Sequence, residues 1–425
     1  MTRRATGLAT LVLLWWFGAT TFAQSMAGAA DSSQSTSRAA SASPETSSIP
    51  SDSRTQFPSF LLDSYFGVDI GSINYPFSPR QLESGFRAES VAVPHAAARV
   101  VLFGHRFYKY LSGQIAYTRP IQWVKYRNVN GTAETGSVWM AIGDVSLKSQ
   151  LPITSRVAVY GETGLALVSR TGFAIGGAPG VAHAQYGAPL FGAGVEYALN
   201  TRWDVLAGMT YVPSRGSGQQ PEMTTGALGF RYNVRPIPAA RVEAARTGGG
   251  IFPENLVQVG FVTNAFGYGW NNAVSSKAPV FWGGHVQVAR GLTVRYQRNV
   301  FHTRSRLALD VGTSASLLKS EDGNQNFVAV SAYPLVRWNF LRREAADVFV
   351  SYSVAGPSFV SRRVIGQHDA GNRFTFQDML GFGMFVGRSR HLFVQLDIGH
   401  YSNGNMFPQN PGVKVPTTIT FGRAF

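Results

Sequence analysis

The 425-residue chain contains no cysteine, which excludes a disulfide scaffold and any site built on thiolates. Charge is scarce: only 14% of residues are charged, and acids are the rarer sign, with 23 Asp and Glu against 38 Lys and Arg. Long apolar runs are missing too. Beyond the N-terminal stretch, nothing approaches the roughly 20 apolar residues that a spanning helix needs. There is no G-x-S-x-G elbow and no histidine cluster with metal-ligand spacing, so no metal or cofactor is expected. A charge-poor chain that is 44% hydrophobic yet lacks apolar helices points to strands.

What is present begins with Arg3, Arg4 and a short apolar run from Leu8 to Phe22. This predicts a secretory signal peptide over residues 1–23, because the run is too short to span and small residues follow it. Residues 24–56 are rich in Ser, Ala, Thr and Pro and predict a disordered linker, since such a segment buries too little surface to offset its ordering entropy. Forty-six glycines and 12% aromatics suit a tightly coiled sheet anchored at membrane interfaces.

From Leu61 to Val234 apolar residues alternate with polar ones at period two, the mark of strands with one greasy face. Trp203, Val205, Ala207, Met209 and Tyr211, for example, alternate with Arg202, Asp204 and Thr210. Eight such runs fall near 62–75, 97–107, 110–121, 136–150, 156–169, 184–198, 201–212 and 222–234, the last with Leu228, Phe230, Tyr232 and Val234 on one face. Glu162 and Asp204 are expected in the interior near Arg202 and Lys148. In length and final strand this segment resembles OmpA-type eight-stranded barrels.

After Arg235 the chain spends a connector with Pro236, Pro238 and three consecutive glycines. Nine further candidate strands follow, near 254–264, 280–289, 292–300, 305–315, 328–340, 346–356, 372–387, 390–402 and 415–425. Bacterial single-chain barrels have even strand numbers, so one run between Val280 and Phe301 is expected not to be a separate spanning strand. The fold expected is all-β: two tandem eight-stranded antiparallel transmembrane barrels, over 57–235 and 251–425, joined by a periplasmic connector at 236–250. A single sixteen-stranded barrel would need only a tight turn where the connector stands.

The last two strands carry the chemistry. His400 and Ser402 are two apart on a strand and share one face, so a base and a nucleophile can act together. They continue the outward stripe of Leu392, Val394, Leu396 and Ile398. Asn403 follows, then Asn410-Pro411-Gly412 and a strand reaching the aromatic Phe425. Most polar residues near strand ends simply meet water or headgroups. The fuller pattern closely resembles the outer-membrane lipid A 3-O-deacylases, small barrels that cut an ester-linked acyl chain from lipopolysaccharide.

That resemblance covers about residues 395–425, with a looser likeness of strand pattern back to about 250. It implies a bacterial outer-membrane location and lipid A as substrate, His400 as general base, Ser402 as nucleophile, and Asn403 and Asn410 in support of the oxyanion. The net charge of +15 then suits lipopolysaccharide phosphates better than nucleic acid. Nothing in the pattern sets an oligomeric state. One departure matters. Where some members place a glutamate, this chain has Lys414: either the third member is dispensable, or another acid substitutes, or the site is weakened. The substitute expected is Asp378, a carboxylate in the outward stripe of Phe374, Phe376, Leu380 and Phe382, which a three-residue turn across Arg388–Arg390 would pair with His400. The rival is a non-enzymatic outer-membrane barrel, structural or lipopolysaccharide-contacting, that retains the deacylase scaffold. Gly381, Gly383 and Gly387 lie within a strand pattern and read as packing glycines rather than a phosphate loop.

Overall fold

The structure, a computed structural model, describes residues 54–425 apart from 217–219, 249, 278–283 and 408. The expected signal peptide and most of the Ser/Ala-rich segment lie outside these residues. The first barrel is built from β1 (Ser64–Asn74), β2 (Ala96–Tyr108), β3 (Leu111–Pro120), β4 (Gly136–Pro152), β5 (Val157–Thr171), β6 (Ala184–Ala198), β7 (Trp203–Val212) and β8 (Met223–Asn233). Neighbours pair antiparallel and β1 closes on β8. The second barrel comprises β9 (Asn255–Thr263), β10 (Val286–His302), β11 (Leu307–Ser320), β12 (Asn326–Arg342), β13 (Ala346–Val360), β14 (Phe374–Val386), β15 (Leu392–Ser402) and β16 (Val413–Ala424). It closes through β9 and β16. The two runs expected between 280 and 300 are thus one strand, β10, and the ninth candidate disappears; the first residues of the expected run, 280–283, lie outside the described set.

Both barrels are inside-out relative to a soluble protein. In the first lumen Arg99 bridges Asp144 and Glu162, at 3.0 Å and 2.5 Å, Arg231 meets Asp69 at 2.8 Å, and Lys148 pairs with Glu196. In the second, Arg295 makes a two-pronged pair with Asp397, both contacts 2.8 Å, and Arg337 pairs with Asp310. Pairing is what makes buried charge tolerable. The outward faces are apolar, as Leu165 (73% exposed), Leu228 (67%) and Phe421 (52%) illustrate. Such a surface requires a lipid solvent, and a closed barrel leaves no edge group unsatisfied in it. No described helix is long and apolar enough to cross a membrane. In each barrel one end carries short turns and the other carries longer loops, the arrangement in which short turns face the periplasm.

Four expectations change in detail. Arg202 is not in the first lumen: its guanidinium donates to the carbonyls of Arg235 and Pro236 at the short-turn rim. It lies just before β7 begins, so strand alternation no longer governs it. Val234 leaves the outward face of β8 and is buried with Phe57, Ile237, Val242 and Phe301. The connector contains a helix, α1 (Ala239–Gly248). The end of the expected disordered linker is packed: Arg54 donates to the Asn299 side chain at 3.0 Å, the Thr55 hydroxyl to the Val242 carbonyl at 3.3 Å, and Phe57 stacks on Phe301 at 4.4 Å. A charge-assisted hydrogen bond and an aromatic contact give these residues what composition alone did not.

Candidate active site

The site lies on the outward face of β14, β15 and β16, toward the long-loop end. The β14–β15 hairpin sets Asp378 directly opposite His400 and Phe376 opposite Ser402. The connection runs over 387–391, with Val386 paired to Leu392, instead of the three residues expected. The widening is symmetrical about Ser389, so the register is unchanged. His400 Nδ1 lies 3.5 Å from Asp378 Oδ2, and Asp378 Oδ1 accepts the Ala355 backbone N–H at 2.8 Å. That N–H is available because β13 bulges between Ser353 and Gly356, with Ala355 at φ +53°. A non-glycine residue held there is strained, and bulges beside active sites commonly re-aim a group. Gly356-Pro357 was the signal in the sequence, since both interrupt a ladder.

On the other flank Lys414 stands opposite His400 on β16, its ammonium turned to Asn272 Oδ1 at 2.9 Å. Asn272 belongs to α2 (Gly269–Lys277), a helix that the sequence reading did not anticipate. It lies against the barrel wall: Val274 packs on Ile398, and the Asn271 amide donates to the carbonyls of Gly399 and Val415 at 3.2 Å and 2.9 Å. Those carbonyls flank the irregularity between Asp397 and Gly399, where β16 carries Pro416 and its ladder is broken. His400, outward by register, is consequently only 1% exposed. Ser402 is half-buried, and its hydroxyl makes no hydrogen bond among the described residues.

Asn403 and Asn410 come together, but with each other, their own loop and the neighbouring loop between β13 and β14. The Asn403 backbone N–H donates to Asn410 Oδ1 at 3.0 Å, its side-chain amide to the Gln409 and Ala370 carbonyls at 2.6 Å and 3.3 Å, and the Asn410 amide to Asn405 Oδ1 at 3.0 Å. The turn between them has Gly404 and Asn405 at φ +63° and +58°. A cavity of about 20 Å³ touches Ser402, Asn403 and Asn410, but on the lumen side it is closed by Val286, Val360, Ile365 and Tyr401. Phe376 and Leu380 continue the apolar wall outside. Among the described residues no cluster with metal-ligand spacing occurs.

Residues 281–417 match the family model of the lipid A 3-O-deacylase PagL, and residues 63–241 match that of the OmpA-like transmembrane domain. Among solved structures, the outer membrane enzyme PagL is 16% identical, covering 40% of this chain and 99% of its own, at a TM-score of 0.28. Neisserial surface protein A is 17% identical, covering 40% and 97%, at 0.28. Outer membrane protein OprG from Pseudomonas aeruginosa is 12% identical, covering 43% and 100%, at 0.25. No curated protein matches. With two closed transmembrane barrels and both family matches, the chain is a bacterial outer-membrane protein with a deacylase-like second half.

Proposed function

We propose that this protein is an outer-membrane serine esterase that hydrolyses the ester-linked 3-O-acyl chain of lipid A, using residues 251–425 as the catalytic barrel and 57–235 as a second, OmpA-like one. The observation that carries the reading is the cross-strand register of Asp378 with His400, with Ser402 on the same outward, apolar face. Asp378 accepts the Nδ1 proton, which orients the imidazole with Nε2 as the base. Ser402 Oγ attacks the ester carbonyl as Nε2 takes its proton. The tetrahedral oxyanion collapses, Nε2–H protonates the departing sugar hydroxyl, and an acyl-serine remains. Water, deprotonated by the same imidazole, then releases the fatty acid and restores Ser402.

Asn403 and Asn410 act in this scheme by bracing the turn after the nucleophile. The backbone N–H groups of Gly404 and Asn405, which hydrogen-bond to nothing among the described residues, are the oxyanion donors. Burial of His400 strengthens its pairing with Asp378. Lipid A mass spectrometry of cells expressing the protein tests the reading: loss of one ester-linked chain with the wild type, and none with Ser402→Ala, is expected. An unchanged lipid A profile with correctly inserted wild type would support the second reading, a non-enzymatic lipopolysaccharide-contacting barrel. The observation favouring that reading is Lys414, a cation where the imidazole's other strand neighbour could have been an acid.

A further inference from the structure

The loop after Ser402 crosses onto the first barrel. Tyr117 on β3 donates its hydroxyl to the Gly404 carbonyl at 2.7 Å, and the Gln185 amide on β6 donates to the Met406 carbonyl. Both side chains are outward, since the alternate residues Ala116 and Tyr186 are buried in the barrel interior. Between them the register forms two adjacent rows. Tyr117 is opposite Gly143, and Ala141, Ser169 and Gln185 align across β4, β5 and β6. On the same outward face, lipid-facing Val145 and Leu165 are 63% and 73% exposed, whereas Ala141 and Ser169 are each 1% exposed. A Cβ added at Gly143 would lie 3.4 Å from Met406 Cε, the only atom within 4 Å among the described residues. Glycine thus leaves room for the Met406 side chain.

We propose that this wall of the first barrel is a seat that fixes the 403–407 loop, with Tyr117, Gly143 and Gln185 as positioning residues for the esterase site. The first barrel is then part of the enzyme. A turn with two successive left-handed residues, one of them Asn405, persists only where its surroundings hold it, and its N–H groups are useful to an oxyanion only if pre-oriented. The seat supplies contacts from three strands of a rigid sheet. The catalytic consequence rests on the esterase reading; the seat itself does not.

The chain's lack of cysteine makes the test direct. In the full-length protein, Gly143→Cys combined with Met406→Cys should cross-link within one chain through a short thiol-reactive bis-methanethiosulfonate. Gly161→Cys, on the same outward face but with nothing among the described residues within 4 Å of its Cβ, combined with Met406→Cys should not. A wedge, Gly143→Phe, sits at an outward strand position that the barrel tolerates. It should raise amide exchange at Met406, whose N–H is held by the Asn403 carbonyl, roughly tenfold and lower kcat of lipid A deacylation about 100-fold with little change in KM. Tyr117→Phe, which removes one hydrogen bond, should cost roughly fivefold in kcat. Cross-linking no greater than in the Gly161 control, or unchanged exchange in the wedge variant, overturns the seat. Raised exchange with unchanged kcat overturns the positioning role. An inactive wild type would sink the esterase reading instead, and cross-linking and exchange would still decide the seat.

Discussion

The two barrels share strand number, closure and a charged lumen, and they differ in where their ladders break. In the first, the irregularities fall at Tyr65–Gly67, Val101–Phe103 and Arg106–Tyr108, in the middle and toward the short-turn end; there an outward His105 Nδ1 lies 3.1 Å from Ser64 Oγ, but its cross-strand neighbours are Ser64 and Gly113, neither of them a carboxylate. The second also breaks near its short-turn end, at Asn299–Phe301 and Asn339–Leu341, but in addition β13 bulges at Ala355 and β16 slips beside Gly399, so that the wall around His400 is distorted on both sides. One distortion frees an N–H for Asp378, and the other frees carbonyls for Asn271. A plain lipid-facing wall becomes a candidate site through two one-residue insertions and a nine-residue helix laid over them.

Removing the chemistry should produce the largest contrast between the halves. Ser402→Ala and His400→Ala are each expected to lower lipid A deacylation by about 10⁴-fold or more, with heat-modifiable migration of the folded barrel unchanged. The first barrel's Asp204→Asn should leave the rate within a factor of about 2, since that carboxylate lies in the other barrel and an amide oxygen in its place can still accept from Asn233. Next in size is Asp378→Asn, expected to reduce kcat at least ~100-fold with KM nearly constant, because an amide cannot stabilise the imidazolium formed during attack; a purely structural Asp378 would instead lower the yield of folded protein and leave the kcat of the remainder intact. Lys414→Glu is a smaller change and could sharpen the comparison with the family pattern. A gain of a few-fold that persists in Asp378→Asn would mean a weakened triad, whereas no gain in the presence of Asp378 is what a rewired one predicts. The smallest effect concerns the bulge. Ala355→Gly keeps the N–H and relieves the left-handed strain, so stability should rise by about 1 kcal/mol in denaturant titrations, with activity retained.

Much of this was legible in the sequence because a barrel in lipid writes its two faces into alternate residues. The eight runs before Val234 and the outward stripe of β15 follow from that alone. So does the pairing of Asp378 with His400, since lengthening a turn equally on both sides of Ser389 preserves the register. The rest was hidden for physical reasons. Helix α2, Gly-Trp-Asn-Asn-Ala-Val-Ser-Ser-Lys, is too short to be stable by itself; the hydrogen bonds of Asn271 to two strand carbonyls hold it, and no local periodicity announces them. Ala355 gives no sign of a positive φ, and only Gly356-Pro357 beside it hints at the bulge. Asn403 and Asn410 could be seen as a pair in the pattern, but not that each would spend its amide on bracing the loop. The seat on the first barrel involves residues 287 positions apart for Tyr117 and Gly404, beyond any local signal.

The central claim is that Ser402 is an activated nucleophile. Treating the membrane-inserted protein with a fluorophosphonate probe and locating the adduct by peptide mass spectrometry tests it most directly. The account predicts a single adduct on Ser402, lost in His400→Ala and slowed in Asp378→Asn. No labelling of folded wild type, or labelling that persists in Ser402→Ala, would contradict it.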